Sequence, residues 1–114
     1  MHELSIALSI LELAAEEAEK HDGARICSIH LRLGPLAGVV KEALVSAFEM
    51  ARETESLGET ELLIEDVPIV ARCPLCREDR PVAAIDHLCC SVCGTPTPDL
   101  VTGRELEVVA LEIE

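Results

Sequence analysis

Cys73-Pro74-Leu75-Cys76 and Cys90-Ser91-Val92-Cys93 set four thiols into two Cys-x-x-Cys pairs, with thirteen residues between the second and third sulfurs. A pair at this spacing wraps one tight turn around a metal ion, so both sulfurs face the same point. Gly94 follows the second pair and suits such a turn, because a positive φ lets the backbone aim N–H groups at thiolates. Two turns of this kind close a tetrahedron of sulfur, the coordination of structural zinc, and leave no open position for a substrate. The alternative of four unliganded core thiols leaves the matched spacing without a reason.

Several neighbours bear on that site. Four thiolates around Zn²⁺ carry a net charge of −2, and Arg72, Arg77 and Arg80 stand close enough in sequence to offset it. Cys89 can compete for a place, since Cys89-x3-Cys93 also chelates; Cys90 is preferred because its spacing repeats the first pair. Cys89 is then a spare thiol, and His87 a solvated loop histidine. Cys27 falls in phase with Ile29 and Leu31 and reads as a core thiol. His21 stands at a helix end, where its cationic form favours the dipole, and His30 stands on the polar face of a strand. No nucleophile, base and orienting acid come together, so the chain is not read as an enzyme.

The other group with chemistry is the start of the chain, Met1-His2-Glu3. An α-amine, the His2 backbone nitrogen and the His2 ring chelate one ion in adjacent rings, with the Glu3 backbone nitrogen as a fourth donor. Four nitrogens in a plane suit Ni²⁺ or Cu²⁺, whereas sulfur tetrahedra suit zinc. On chemistry alone, one histidine near an end also reads as a frayed terminal residue.

These groups need a scaffold. At 114 residues the chain is sized for one compact domain with a small metal-stapled insert. Apolar residues make up 49% of it with one Phe and no Trp or Tyr, so the core is aliphatic and the stacking platforms of single-stranded nucleic acid binders are missing. Nine basic residues against 22 acidic ones, a net charge of −13, exclude phosphate-backbone binding as well. No stretch reads as a secretory signal or as a membrane span of about 20 apolar residues, which points to a cytoplasmic protein. In that reducing compartment paired cysteines read as metal ligands.

Period-3.6 patterning predicts helices over Leu4–Lys20, closed by a left-handed Gly23, and over about Val40–Thr54. Alternation predicts strands at Arg25–Leu33, Glu61–Val67 and Glu105–Ile113, the last with a phase change near Val108. The expected fold is α+β: a three-stranded sheet with two helices on one face, plus a zinc-knuckle insert. Residues 1–68 with 104–114 form the α+β part, and 69–103 the zinc-binding insert.

Met1-His2-Glu3-Leu4-Ser5, Gly34-Pro35-Leu36-Ala37-Gly38-Val39, Ala47-Phe48-Glu49, the two Cys-x-x-Cys pairs and Gly103-Arg104-Glu105-Leu106 together resemble the HypA/HybF family. These are nickel-insertion accessory proteins of [NiFe]-hydrogenase maturation, some also serving urease, and the likeness spans essentially the whole chain. The resemblance implies a metallochaperone that binds Ni²⁺ through Met1, His2 and Glu3 and holds structural Zn²⁺ with Cys73, Cys76, Cys90 and Cys93. It implies the GTPase HypB as partner and the hydrogenase large subunit as recipient. Many relatives carry a carboxylate where this chain has Val40, which cannot ligate; Glu42 lies nearby but is not assigned as a ligand.

Two rival readings share the sulfur site. One is a zinc-stapled adaptor that binds proteins without carrying metal, and it differs from the carrier in the role of His2. The other is a thiol redox protein using Cys89 or Cys90. Monomer and homodimer both stay open.

Overall fold

The computed structural model describes residues 2–54, 57–82, 86–97 and 99–114. Its elements run α1 (Glu3–Lys20), β1 (Ile26–Leu33), a 3-10 turn (Pro35–Ala37), α2 (Lys41–Thr54), β2 (Glu61–Asp66), β3 (Val70–Cys73), β4 (Glu78–Pro81), β5 (Asp99–Thr102) and β6 (Leu106–Ile113). The class is α+β, as the patterning predicts. No described helix is long and apolar enough to cross a membrane.

Helix α1 buries Ala7, Ile10, Leu11 and Ala14, two residues per turn along a narrow seam. Leu4, Leu8 and Leu13 stay exposed, so the buried stripe is narrower than the apolar content of the helix suggests. The helix closes as predicted: Gly23 takes φ 73° and donates its N–H to Ala18 O at 2.9 Å. Helix α2 packs on α1 and buries Leu44, Phe48 and Ala51; Phe48, the single aromatic, is 1% exposed.

The larger sheet has the order β2-β1-β6. Glu114 N–H bonds Arg25 O and Gly34 N–H bonds Glu105 O, so β6 runs antiparallel to β1. Thr60 Oγ1 donates to Ile26 O and Val67 N–H to Leu33 O, so β2 runs parallel to it. The sheet is therefore mixed. Along β6 the better-covered positions are Leu106 and Val108 and then Leu111, the change of phase that its sequence shows. On β1, Ile29, Leu31 and Leu33 are buried as expected. Ser28 on the opposite face is buried too, because the His30 ring lies over it: Ser28 Oγ is 3.3 Å from His30 Nε2, which meets Glu112 Oε1 at 2.6 Å. His30 is thus part of a polar cluster between strands and is not a freely solvated side chain.

Residues beyond β2 carry a second sheet that strand patterning does not reveal, with order β4-β3-β5. β3 and β4 form an antiparallel hairpin in which Ala71 faces Arg80, Arg72 faces Asp79 and Cys73 faces Glu78. β5 pairs antiparallel on the other side of β3.

The contacts divide the chain into two compact units. One holds the chain up to Leu31, with Gly38–Glu65 and Val108–Glu114; the other holds Arg32–Ala37 and Asp66–Glu107. The second unit extends beyond residues 69–103 because two distant loops meet inside it. Leu36 N–H bonds Gly103 O at 2.7 Å and Gly34 N–H bonds Glu105 O at 2.8 Å. A Cβ on Gly34 would lie 2.2 Å from Gly103 O, so only glycine permits the approach. Glu105 completes the corner by accepting the Gly103 N–H at 2.7 Å.

Candidate metal centre

The two Cys-x-x-Cys segments fold into near-equivalent turns. In the first, Arg77 N–H bonds Cys73 O at 2.8 Å and the Cys76 N–H points at Cys73 Sγ, 3.3 Å away. In the second, Gly94 N–H bonds Cys90 O at 2.9 Å, and the Val92 and Cys93 amides point at Cys90 Sγ at 3.4 and 3.5 Å. The fifth residue of each turn takes a positive φ, 76° for Gly94 and 57° for Arg77. The first turn meets the same geometric demand without a glycine, at some steric cost.

These turns bring Cys73, Cys76, Cys90 and Cys93 together, all four sulfurs lying within 4.8 Å of one another. Cys73 lies 3.5 Å from Cys93, Cys76 lies 3.6 Å from Cys93, and Cys76 lies 3.9 Å from Cys90. A tetrahedron with zinc–sulfur bonds of about 2.3 Å has edges of about 3.8 Å. The sulfur set therefore fits a four-coordinate soft-ligand ion in size as well as in chemistry. Cys73 and Cys90 are buried, Cys76 is half-buried and Cys93 is exposed. Cys90, and not Cys89, turns its sulfur inward; Cys89 instead forms a backbone bridge to Pro96. His87 does not join the sulfur group.

The turns prepare the sulfurs unequally. Thr95, through its hydroxyl 3.1 Å away and then through its backbone, lowers the Cys93 thiol to about 6. The Cys93 and Val92 amides lower that of Cys90. The Cys76 thiol is pushed up to about 12, chiefly by the Cys93 and Cys73 sulfurs beside it, and a hydrogen bond with Arg80 works in the opposite direction. Four thiols crowded together resist losing all four protons, and a cation at their centre removes that resistance.

Of the three arginines near the first pair, register separates one from the others. Arg72 is on the far side of the hairpin with Asp79, its Nη1 3.4 Å from Asp79 Oδ1. Arg80 shares its sheet face with Cys73, and its Nη2 lies 2.8 Å from Glu78 Oε2.

The amino-terminal group is built differently. Met1 lies outside the described residues. His2 is the N-cap of α1, exposed and in extended backbone, and its side chain makes no capping hydrogen bond. The first helical bond runs from Ile6 N–H to His2 O, which leaves the Glu3 amide among the helix-start donors without an intrahelical acceptor. The Glu3 carboxylate turns instead to α2, where Oε2 lies 3.5 Å from the Val40 N–H. Val40 itself is 58% exposed and offers no side-chain ligand.

The fold and the sulfur cluster define a small α+β protein with a four-cysteine centre of the kind that holds a structural metal ion. A family model described as "Hydrogenase/urease nickel incorporation, metallochaperone, hypA" matches residues 1–113. The chain belongs to this HypA family of nickel metallochaperones, which are maturation factors. It is 45% identical to hydrogenase maturation factor HypA of Chloroflexus aurantiacus over 112 residues, covering 98% of each chain. It is 42% identical to that of Roseiflexus sp. strain RS-1, covering 100% of this chain and 93% of the relative. Among solved structures it resembles the Ni metallochaperone HypA from Helicobacter pylori (TM-score 0.65, 28% identity, 99% and 97% coverage). A second solution structure of HypA protein gives a TM-score of 0.72 at 28% identity, covering 100% and 97%.

Proposed function

We propose that the protein carries Ni²⁺ on its first three residues, through the Met1 amine, the His2 ring and backbone nitrogen, and the Glu3 backbone nitrogen. The observation that carries this reading is the state of His2: it is exposed and makes no side-chain capping hydrogen bond, at a helix start whose first amides have no intrahelical acceptor. Donors of this kind grip an ion at the protein surface, where a recipient can reach it. The recipient we infer is the apo large subunit of [NiFe]-hydrogenase, with urease as a second target class and the GTPase HypB as the partner in delivery. The resident metal is Zn²⁺ on Cys73, Cys76, Cys90 and Cys93; when bound it cross-links the two knuckles and neutralises half of the thiolate charge. The chain's own amides at Cys76, Val92 and Cys93 hold those sulfurs in place.

Nickel must displace protons from an amine and an imidazole, groups whose ordinary values lie near about 8 and 6.5. Affinity is therefore expected to fall as pH drops from about 7 to 6. Ni²⁺ titration at both values tests this, with unchanged affinity counting against the amino-terminal donors. His2→Ala loses nickel and hydrogenase maturation while keeping one zinc per chain. A variant extended by one residue before Met1 loses the planar nickel spectrum. A protein-binding adaptor would keep its cellular effect in both variants.

A further inference from the structure

Strand β6 forms one edge of the larger sheet, so the side of its main chain that turns away from β1 has no strand neighbour among the described residues. Its charges stand towards its ends. Glu107 meets Arg32 at 3.4 Å, Glu112 meets His30 at 2.6 Å and Glu114 meets Arg25 at 3.6 Å. These cations lie on β1 or just before it, so the three glutamates reach inward across the sheet and not over the open edge. Between them the strand reads Val108-Val109-Ala110-Leu111, an uncharged run in which Val109 and Ala110 are exposed. The opposite edge is guarded. β2 exposes Glu61, Glu65 and Asp66, and Pro68 follows two positions later. Charge and proline are the usual defences of an edge strand, and the middle of β6 has neither. Beside β6 lies a groove of about 350 Å³, walled on α1 by Leu13, Glu17 and His21, with the Leu13 side chain exposed.

We infer that the β6 edge and this groove are a docking surface for an extended, basic segment of another protein, which adds as a fourth strand to the larger sheet. Main-chain hydrogen bonds to β6 supply the affinity, and apolar side chains of the added strand settle against Leu13 and Leu111 in the groove. Lysine or arginine at its ends meets Glu107 and Glu112, whose side chains stay more than half exposed beside their β1 partners. Charge selects this occupant over a second copy of the chain. Each copy carries a net charge of −13, and two β6 strands laid antiparallel about the uncharged run would set glutamates against glutamates. A basic strand turns those same residues into partners. The surface stands apart from the question of which metal the chain carries.

The experiment titrates the isotope-labelled full chain with the blocked peptide Lys-Val-Thr-Val-Thr-Val-Lys and follows backbone amide NMR shifts. Shifts and slowed amide exchange are expected along β6, with β2 unmoved. Replacing both lysines of the peptide by glutamate weakens binding about tenfold, the worth of two exposed ion pairs made repulsive. Two further peptides carry N-methyl groups on alternate amides, one in each phase. A docked strand donates from one phase alone, so one of them loses binding and the other keeps it. Val109→Lys, at an exposed side chain, weakens binding roughly three- to tenfold by setting a like charge on the edge. Leu63→Lys on β2 leaves it unchanged. Should Val109→Lys fail to fold, the methylated pair decides on the unaltered chain. Shifts centred on β2, equal binding by both methylated peptides, or a glutamate peptide that binds as well each overturn the assignment. A chain that sediments as a dimer and becomes monomeric in Val109→Lys overturns it too, giving the edge to a second copy.

Discussion

The sulfur cluster and the amino-terminal end, the two groups we propose to bind metal, are built on opposite principles. At the cluster every ligand atom sits on a tight turn, two of the four sulfurs are buried, and backbone amides point at Cys73 and Cys90. At the amino-terminal end the imidazole of His2 is exposed and touches no capping partner. A site that must keep its ion closes all four positions and fixes them before the ion arrives. A site that must give its ion away leaves its donors unencumbered, so that a rival ligand can approach. On the function we propose, this contrast between enclosure and exposure separates a resident metal from a cargo.

The largest effect expected is at the enclosed site. Cys73→Ser, or removal of zinc with a strong chelator, takes away a cross-link whose binding free energy in small zinc domains is about 10 kcal/mol or more, comparable to a whole domain's stability. The β3–β4–β5 sheet should lose protection in amide hydrogen exchange while α1 and α2 keep theirs. Equal loss in both would erase the contrast drawn above. At the other extreme His2→Ala should leave thermal stability within about 0.5 kcal/mol, as exposed substitutions do.

An intermediate effect separates acid sensitivity of the sulfurs from that of the corner beside them. The Glu105 carboxyl is held below the 4.5 of a free glutamate, first by the Gly103 N–H and then by its own amide. A depressed carboxylate contributes stability that is present above its unfolded value and is lost as pH falls through the lower, folded one. Glu105→Gln is therefore expected to lower the melting temperature at pH 7 and to cost less at pH 3, at unchanged zinc content. A penalty that grows on acidification would contradict this. A further small effect concerns Arg77, whose φ of 57° suits glycine better. Arg77→Gly should be neutral or stabilising by up to about 1 kcal/mol in denaturant melts, with zinc retained.

Much of this was readable from the chain because the signals are local. The cysteine spacing announces its turns, and Gly23 and Gly94 take the left-handed conformations that their positions suggest. The helices follow from periodicity. What escaped depends on register or on distance. Strands β3, β4 and β5 are four residues each, too short for alternation to stand out. Arg77 in a left-handed conformation has no local signature. Nothing in sequence ranks Arg80 above Arg72; the pairing of Ala71 with Arg80 does, by deciding which face each occupies. The meeting of Gly34 with Gly103 joins segments nearly seventy residues apart, and it explains why both glycine-containing motifs are present. Ser28 alternates onto the polar face of β1, and only the fold shows His30 and Glu112 closing over it.

The contact between Glu3 and Val40 has a consequence for how position 40 can drift. The donor there is a main-chain N–H, which nineteen of the twenty standard residue types supply equally and proline alone withholds. A side chain at 40 can thus be exchanged, as valine stands here, without untying the first turn of α1 from the entrance to α2. Selection on the tether falls on the carboxylate of Glu3 and forbids one imino acid, and it leaves the rest of the alphabet free.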